Sequence, residues 1–324
     1  MKGKDRYYKY SDYLKKTYGT KVYKLPVNLP ITCPNRTEDG GCTFCSEKGT
    51  GFEAMPASVS VERQLETSRD LIRRRYKAEK FIAYFQNYTN TFMPLFQFRQ
   101  YMQAAACTED VVELAISTRP DCIADSYLKV LAGLAEENNV HICIELGLQT
   151  ANYHTLDTVR RGHGLAEYVD AMLRIAPYGF STCTHVILNL PGDSLRDCVE
   201  TAKLISVLGT TLVKIHSLYI AKGTVMAEEY ANGRLDPGTK EDYYERLKLF
   251  LEYLSPDISV ERLFSRIPEE DSLFSNWGTS WWKLQDEFLS FLESSDSYQG
   301  KCYHYRNGSG LRGVFNDRAD EYSK

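Results

Sequence analysis

The chain has 324 residues, 43% of them hydrophobic and 25% charged, and carries a formal net charge of -4. That length supports one large core, and the slight acidity excludes a uniformly basic nucleic-acid binder. No apolar run approaches the roughly 18 residues of a membrane span, and the charged start is unlike a signal peptide, so a cytoplasmic protein without membrane contact is expected.

Residues 1–20 read as a basic, Tyr-rich N-terminal arm. Residues 1–24 hold eight Lys or Arg, two Asp and six Tyr. Basic side chains neutralise phosphates and aromatic faces stack on bases, so the arm is either an RNA contact or a leader whose tyrosines dock on the domain. KVYKLPV (21–27) predicts a first strand, followed by the loop CPNRTEDGGCTFC (33–45). KFIAYFQ (80–86), VVELAIS (111–117), HICIELGLQ (141–149), THVILNL (184–190) and TLVKIHSLY (211–219) predict five more. Their near-continuous hydrophobicity is that of strands buried on both faces, and segments of helical period (124–138, 164–177, 194–208) lie between them. Alternating strands and helices imply parallel βα units, whose right-handed crossovers curl the sheet towards a full or partial barrel. In such folds the chemistry sits at the carboxyl ends of the strands, the face on which the cysteine loop falls. The barrel is assigned to residues 21–268. Residues 269–324 form a C-terminal extension with an amphipathic helix and a Gly-rich tail, RNGSGLRG, which covers the sheet edge, helps to bind substrate or only packs.

Most of the nine cysteines stand singly in apolar segments (Cys107, Cys122, Cys143, Cys183), as buried small hydrophobes do in a reducing compartment. Cys33, Cys42 and Cys45 are different. Their C-x8-C-x2-C spacing supplies three thiolates, where a closed tetrahedral site takes four. CTFC puts two sulfurs on one tight turn, while Pro34, Gly40 and Gly41 let the loop bring Cys33 to them and Phe44 shields the metal. A cubane held this way has three irons anchored and a fourth free to chelate a ligand. The other readings are a zinc site with a distant fourth ligand such as His163 or Cys302, and three unrelated cysteines.

CPNRTEDGGCTFC resembles the cluster loop of radical S-adenosylmethionine (SAM) enzymes, in the widened form found in the Elongator catalytic subunit and its relatives. ELGLQT (145–150), RRGH (160–163), HVILNLPG (185–192), KIHSLYIAKGT (214–224) and VERLFSRIP (260–268) are similar, in order, to segments of that group. With YFQNYTNTF (84–92), the loop also resembles the bacterial YtqA/YhcC branch. The resemblance implies an α/β fold, a partial (β/α)6 TIM-like barrel of the radical SAM type with a short C-terminal extension. It also implies a [4Fe-4S] cluster on Cys33, Cys42 and Cys45, with SAM on the open iron, cleaved to a 5′-deoxyadenosyl radical.

For the site, the resemblance implies that Gln86, Asn87 and Tyr88 meet the methionyl group, although the family's glycines are missing there. Ser117 and Arg119 meet ribose or carboxylate, Gln149 matches the family's glutamine, and Arg161 pairs with the SAM carboxylate, Arg160 being its neighbour. His185 stands where a ribose-binding Asp is found in coproporphyrinogen oxidases, and Gly192 permits close approach near the adenine. Lys214 and His216, alternate residues on one strand face, are candidate substrate contacts together with Lys222. The implied reaction converts wobble 5-carboxymethylaminomethyl(-2-thio)uridine of tRNA to the 5-aminomethyl form. It needs a reductant such as flavodoxin or ferredoxin, and a tRNA methyltransferase acts on the product. The competing readings are an oxidative decarboxylase of a small molecule and a zinc-stabilised RNA-binding module.

Overall fold

The computed structural model describes residues 5–37, 40–46 and 54–311. Helix α1 (Tyr10–Tyr18) precedes strand β1 (Val22–Val27). There follow α2 (Val61–Tyr76), β2 (Lys80–Phe85), α3 (Leu95–Ala106), β3 (Val111–Thr118), α4 (Asp125–Asn138), β4 (His141–Gln149), α5 (Tyr153–Thr158), α6 (Leu165–Ile175), β5 (Ser181–Ile187), α7 (Leu195–Val207) and β6 (Leu212–His216). The chain continues through β7 (Ile220–Ala221), α8 (Val225–Ala231), α9 (Lys240–Tyr253), β8 (Ser259–Arg262), β9 (Ser272–Phe274) and α10 (Trp281–Ser294).

Seven strands form one parallel sheet in the order β1-β2-β3-β4-β5-β6-β8, curled into a half-barrel. The six strands expected from hydrophobicity are all present. The seventh, β8, lies in VERLFSRIP, where four residues are too few for an apolar period to show. Strand side chains alternate between two layers. Phe81, Ala83, Phe85, Leu114, Ile116, Ile142, Ile144 and Leu146 face outward and join the main core with the surrounding helices. Ile82, Tyr84, Ala115, Cys143, Cys183 and Leu212 face the barrel interior.

The amino-terminal end of that interior is plugged by α1. Leu14 and Tyr18 complete the inner cluster, and the Tyr18 hydroxyl donates to Glu113 Oε2 at 2.5 Å. Tyr13 reaches Ser181 at the start of β5, and the amide of Val260 donates to the carbonyl of Tyr8 at 2.8 Å, so the leader also pairs with the β8 edge. Among residues 5–20, then, the tyrosines dock on the domain, and residues 1–4 lie outside the described residues. The extension docks too. Leu284, Phe288 and Leu292 of α10 enter the main core, and β9 pairs antiparallel with β7. Asn276 bridges Ser217 and Ser265 by side-chain hydrogen bonds of 2.7 and 2.9 Å. Among the described residues no helix is long and apolar enough to cross a membrane.

Candidate functional site

The loop after β1 brings Cys33, Cys42 and Cys45 to the carboxyl end of the barrel, all three with free thiols. The amide of Cys45 donates to the carbonyl of Cys42, closing the CTFC turn. Thr43 is tied on both sides, its amide to Val159 and its carbonyl to Met226, and Phe44 packs on the apolar cluster of Ile187, Leu190 and Leu218. Two side chains aim donors at Cys42 Sγ, Asn35 Nδ2 at 3.3 Å and Arg161 Nη1 at 3.5 Å. Asn35 also donates to the carbonyl of Arg160 at 2.8 Å, which couples the cysteine loop to the RRGH turn. Gly162 is required at that joint. Its φ is +72°, and a Cβ there would sit 2.1 Å from Asn35 Oδ1. Burial, then neighbouring Cys42, pushes the Cys45 thiol up to about 11.

Cys302, considered above as a fourth zinc ligand, is anchored by its amide to Glu252 near the carboxyl end of α9, which leads into the amino end of β8. That is the opposite end of the barrel from the cysteine loop. His163 holds its Nδ1 against the carbonyl of Gly164, while its Nε2 is buried without a partner. Burial and then Arg161 bring the His163 pKa down to about 4, so the ring is neutral.

The other expected contacts divide. Arg161 does reach the cysteine loop, its Nη2 donates to the carbonyl of Gly147 at 2.8 Å, and its Nε is buried and unpaired. A Cβ on Gly147 would meet Arg161 Nη2 at 2.6 Å and Gln149 Nε2 at 2.9 Å, so a missing side chain makes room for Arg161 and Gln149 at the end of β4. Arg119, expected to bind a ligand, instead makes a fork with Asp121 at 2.9 and 2.8 Å and donates to the Arg161 carbonyl at 2.8 Å. With those donors committed, Arg119 clamps the turn that carries Arg161. Asn87 bonds Asn28 and leaves Oδ1 buried without a partner, Gln86 lines the large cavity described below, and Tyr88 lies under the Arg36 guanidinium of the cysteine loop. Gly192, with φ of +98°, lines a separate cavity of about 330 Å³ beside Asn189 and Asp193.

Inside the barrel stands a charge network of which the sequence reading named only Lys214 and His185. Glu145 Oε1 accepts from Lys24 at 2.8 Å, and Oε2 accepts from Lys214 and His185, each at 2.7 Å. Glu261 Oε1 lies 3.0 Å from Lys214 Nζ, and Oε2 accepts from Lys24 at 2.8 Å. The Tyr84 hydroxyl also accepts from Lys214 at 3.0 Å. Burial would raise the Glu261 carboxyl, but Lys214 and Lys24 hold it at about 2, and they hold Glu145 well below its usual range. Lys214 is therefore no substrate contact, because its side chain is 1% exposed and its ammonium is saturated by two carboxylates and a phenol. His185 is kept neutral by burial, then by Lys214. Its Nε2 proton goes to Glu145 and its Nδ1 remains an acceptor. His216 stacks on His185 with 5.5 Å between ring centroids and reaches Ser265. Lys222 donates to the carbonyl of Glu270 and so ties its loop to the extension. Lys24 carried one overlooked signal, a charge at an inward position of a strand whose neighbouring inward residue, Val22, is apolar.

The open seam of the half-barrel, between β1 and β8, holds a cavity of about 1250 Å³. Lys24, Tyr84, Gln86, Glu261 and Arg262 form its inner wall, and residues 265–281 form its outer wall, including Arg266 and Trp281.

Comparison with known proteins agrees with this architecture. The family model of the radical SAM superfamily matches residues 27–205, and that of the Radical_SAM C-terminal domain matches residues 210–293. The chain is 33% identical to the uncharacterized protein YtqA of Bacillus subtilis over 301 residues, 92% of this chain and 93% of YtqA. It is 33% identical to the protein YhcC of Escherichia coli over 86% of this chain and 90% of YhcC. A tRNA uridine(34) acetyltransferase of Methanocaldococcus infernus is 23% identical over 160 residues, 48% of this chain and 29% of that protein. The solved archaeal Methanocaldococcus infernus Elp3 shares the fold, with a TM-score of 0.65 at 16% identity over 88% of this chain and 67% of that one.

Proposed function

The chain belongs to the radical SAM superfamily, and from that premise we propose that it modifies the wobble uridine of tRNA, converting 5-carboxymethylaminomethyl(-2-thio)uridine to 5-aminomethyl(-2-thio)uridine. Members of the superfamily are enzymes that bind a [4Fe-4S] cluster and SAM and need a reductant. When bound, that pair supplies a 5′-deoxyadenosyl radical able to take hydrogen from an unactivated carbon.

The residues at the mouth of the barrel fit this group. Cys33, Cys42 and Cys45 would hold the cluster through their thiolates. The observation that carries the reading is the pair of donors on Cys42 Sγ, because hydrogen bonds to a thiolate offset its charge and fix its direction, as outer-shell partners of metal ligands do. Arg161 Nε and His163 Nε2, both buried without partners, are polar atoms that a ligand in this mouth can satisfy. Gln149 and Arg161 would hold the methionyl end of SAM, and His185 would meet its ribose through Nδ1. Arg119 keeps Arg161 in place. For the substrate, the partial match to tRNA uridine(34) acetyltransferases supports RNA, and the cavity at the seam is large enough to admit one everted nucleoside.

Two measurements test the reading. Anaerobically reconstituted protein is coloured and releases 5′-deoxyadenosine from SAM, and Cys42→Ala abolishes both while the fold persists; full activity in that variant removes the cysteine assignment. Nucleosides of tRNA from a strain lacking the gene accumulate the carboxymethylaminomethyl form and lose the aminomethyl form. An unchanged nucleoside profile overturns the substrate.

A further inference from the structure

The inner wall of the seam cavity carries more positive charge than its carboxylates neutralise. Both oxygens of Glu145 and both of Glu261 are occupied by Lys24, Lys214 and His185. Two lysines against two carboxylates close the short contacts and leave Arg262 to act on Glu261 only through space, without a hydrogen bond. Arg262 is half-buried in the same wall, and among the described residues its guanidinium makes no hydrogen bond or salt bridge. His216 beside it offers no negative charge, since burial and then Arg262 itself hold the ring neutral. The remaining acid in the lining, Glu269, is exposed on the outer wall. A half-buried cation lining a cavity with no acid in hydrogen-bond reach is available to an anionic ligand. Across the cavity the Arg266 guanidinium lies 3.8 Å from the centroid of the Trp281 ring, a flat cationic surface of the kind on which nucleobases stack.

Resting on the tRNA reading above, we propose that Arg262 grips the carboxylate of the uridine's 5-substituent while the base lies against the Arg266–Trp281 pair. A planar guanidinium takes a carboxylate through two parallel hydrogen bonds, so the arginine selects a side chain that ends in carboxylate over one that ends in amine. The product, having lost the carboxylate and kept an ammonium, is repelled by the same residue, which favours its release. Arg262 is thus a specificity-determining residue contributed by β8, the shortest strand of the sheet.

The test uses the intact protein and synthetic anticodon stem-loops that differ only in the wobble side chain: 5-carboxymethylaminomethyl, 5-aminomethyl or unmodified. Binding is read by fluorescence anisotropy without SAM. The native protein prefers the carboxylate-bearing loop by about tenfold, the size of a charge-assisted pair. Arg262→Gln abolishes that preference without weakening the unmodified loop, and Arg262→Lys keeps part of it, because the charge remains and the fork is lost. A melting temperature near that of the native protein certifies the fold of each variant. If Arg262→Gln keeps the preference, the residue is wrong and the tRNA reading stands. If all three loops weaken equally in that variant, Arg262 holds phosphate and the proposal falls. If the native protein binds the loops without discrimination, the carboxylate grip falls while RNA binding stands, and failure to bind any loop overturns the tRNA reading together with the proposal.

Discussion

Among the described residues Cys42 receives two side-chain donors, and they arrive from two turns distant in sequence. Asn35 belongs to the same loop, whereas Arg161 comes from the RRGH turn, and Gly162 is what lets the two meet. Gly162→Ala must push Asn35 off its place, since a methyl group and an amide oxygen cannot share 2.1 Å, and it also strains a left-handed backbone. The expected result is a loss of iron affinity of about tenfold, as for outer-shell partners of other metal ligands. Iron and sulfide content after reconstitution measures it, and iron retention equal to the native protein's would show that Asn35 is dispensable. The same clash explains why the RRGH turn carries glycine immediately after the arginine.

At the scale of elements, α1, β8 and the segment from Ser265 to α10 convert an open half-barrel into a lined chamber. Basic and aromatic composition alone left two readings of the N-terminal segment, and its packing follows from where the tyrosines point. Tyr7 is 5% exposed, Tyr18 is 9% exposed, and Leu14 seals the inner cluster. Leu14→Ala opens a cavity at the plugged end and is expected to lower stability by about 2–3 kcal/mol, the low side for a buried leucine because α1 is peripheral. Urea denaturation measures it. A change below 0.5 kcal/mol, the size typical of surface substitutions, would mean that the plug is loosely held in solution. The strand β8 was hidden for a different reason. Its residues alternate Val260 into the outer core and Glu261 into the barrel, a pattern that four residues state only once.

Across the whole molecule, the interior of the barrel contains a charge network beside its apolar cluster. The network of Lys24, Glu145, His185, Lys214 and Glu261 joins β1, β4, β5, β6 and β8, so it closes the curl that the hydrogen-bonded ladder leaves open at the seam. Its pH dependence has a definite sign. Glu261 is held at about 2, below its ordinary 4.5, so its contribution is present above pH 4.5 and is lost as pH falls towards 2. Glu113 acts in the opposite sense. Burial raises it from 4.5 to about 7, against the lowering effect of the Tyr18 hydroxyl, so its contribution is complete below pH 4.5 and disappears as pH rises through 7. The native protein therefore loses about 3 kcal/mol of stability from this group between pH 4.5 and 7.5. Glu113→Gln removes that loss. Urea midpoints at the two pH values check it, and an equal slope in the variant would place the titration elsewhere.

The order of strands and helices and the position of the CPNRTEDGGCTFC thiols at the carboxyl ends of the strands were legible in the amino-acid sequence, because each depends on local period or on neighbours within one loop. What escaped it depends on residues brought together over long separations. Lys214 looked like a substrate contact because it shares a strand face with His216 and points to the rim, and only the curl of the sheet reveals that Glu145 and Glu261 stand beside it. Arg119 likewise looked free until Asp121 and the Arg161 carbonyl were seen to occupy it. Which charges remain after pairing is a sum over the whole chamber, and no single segment contains its terms. Arg262 acquires its meaning only there.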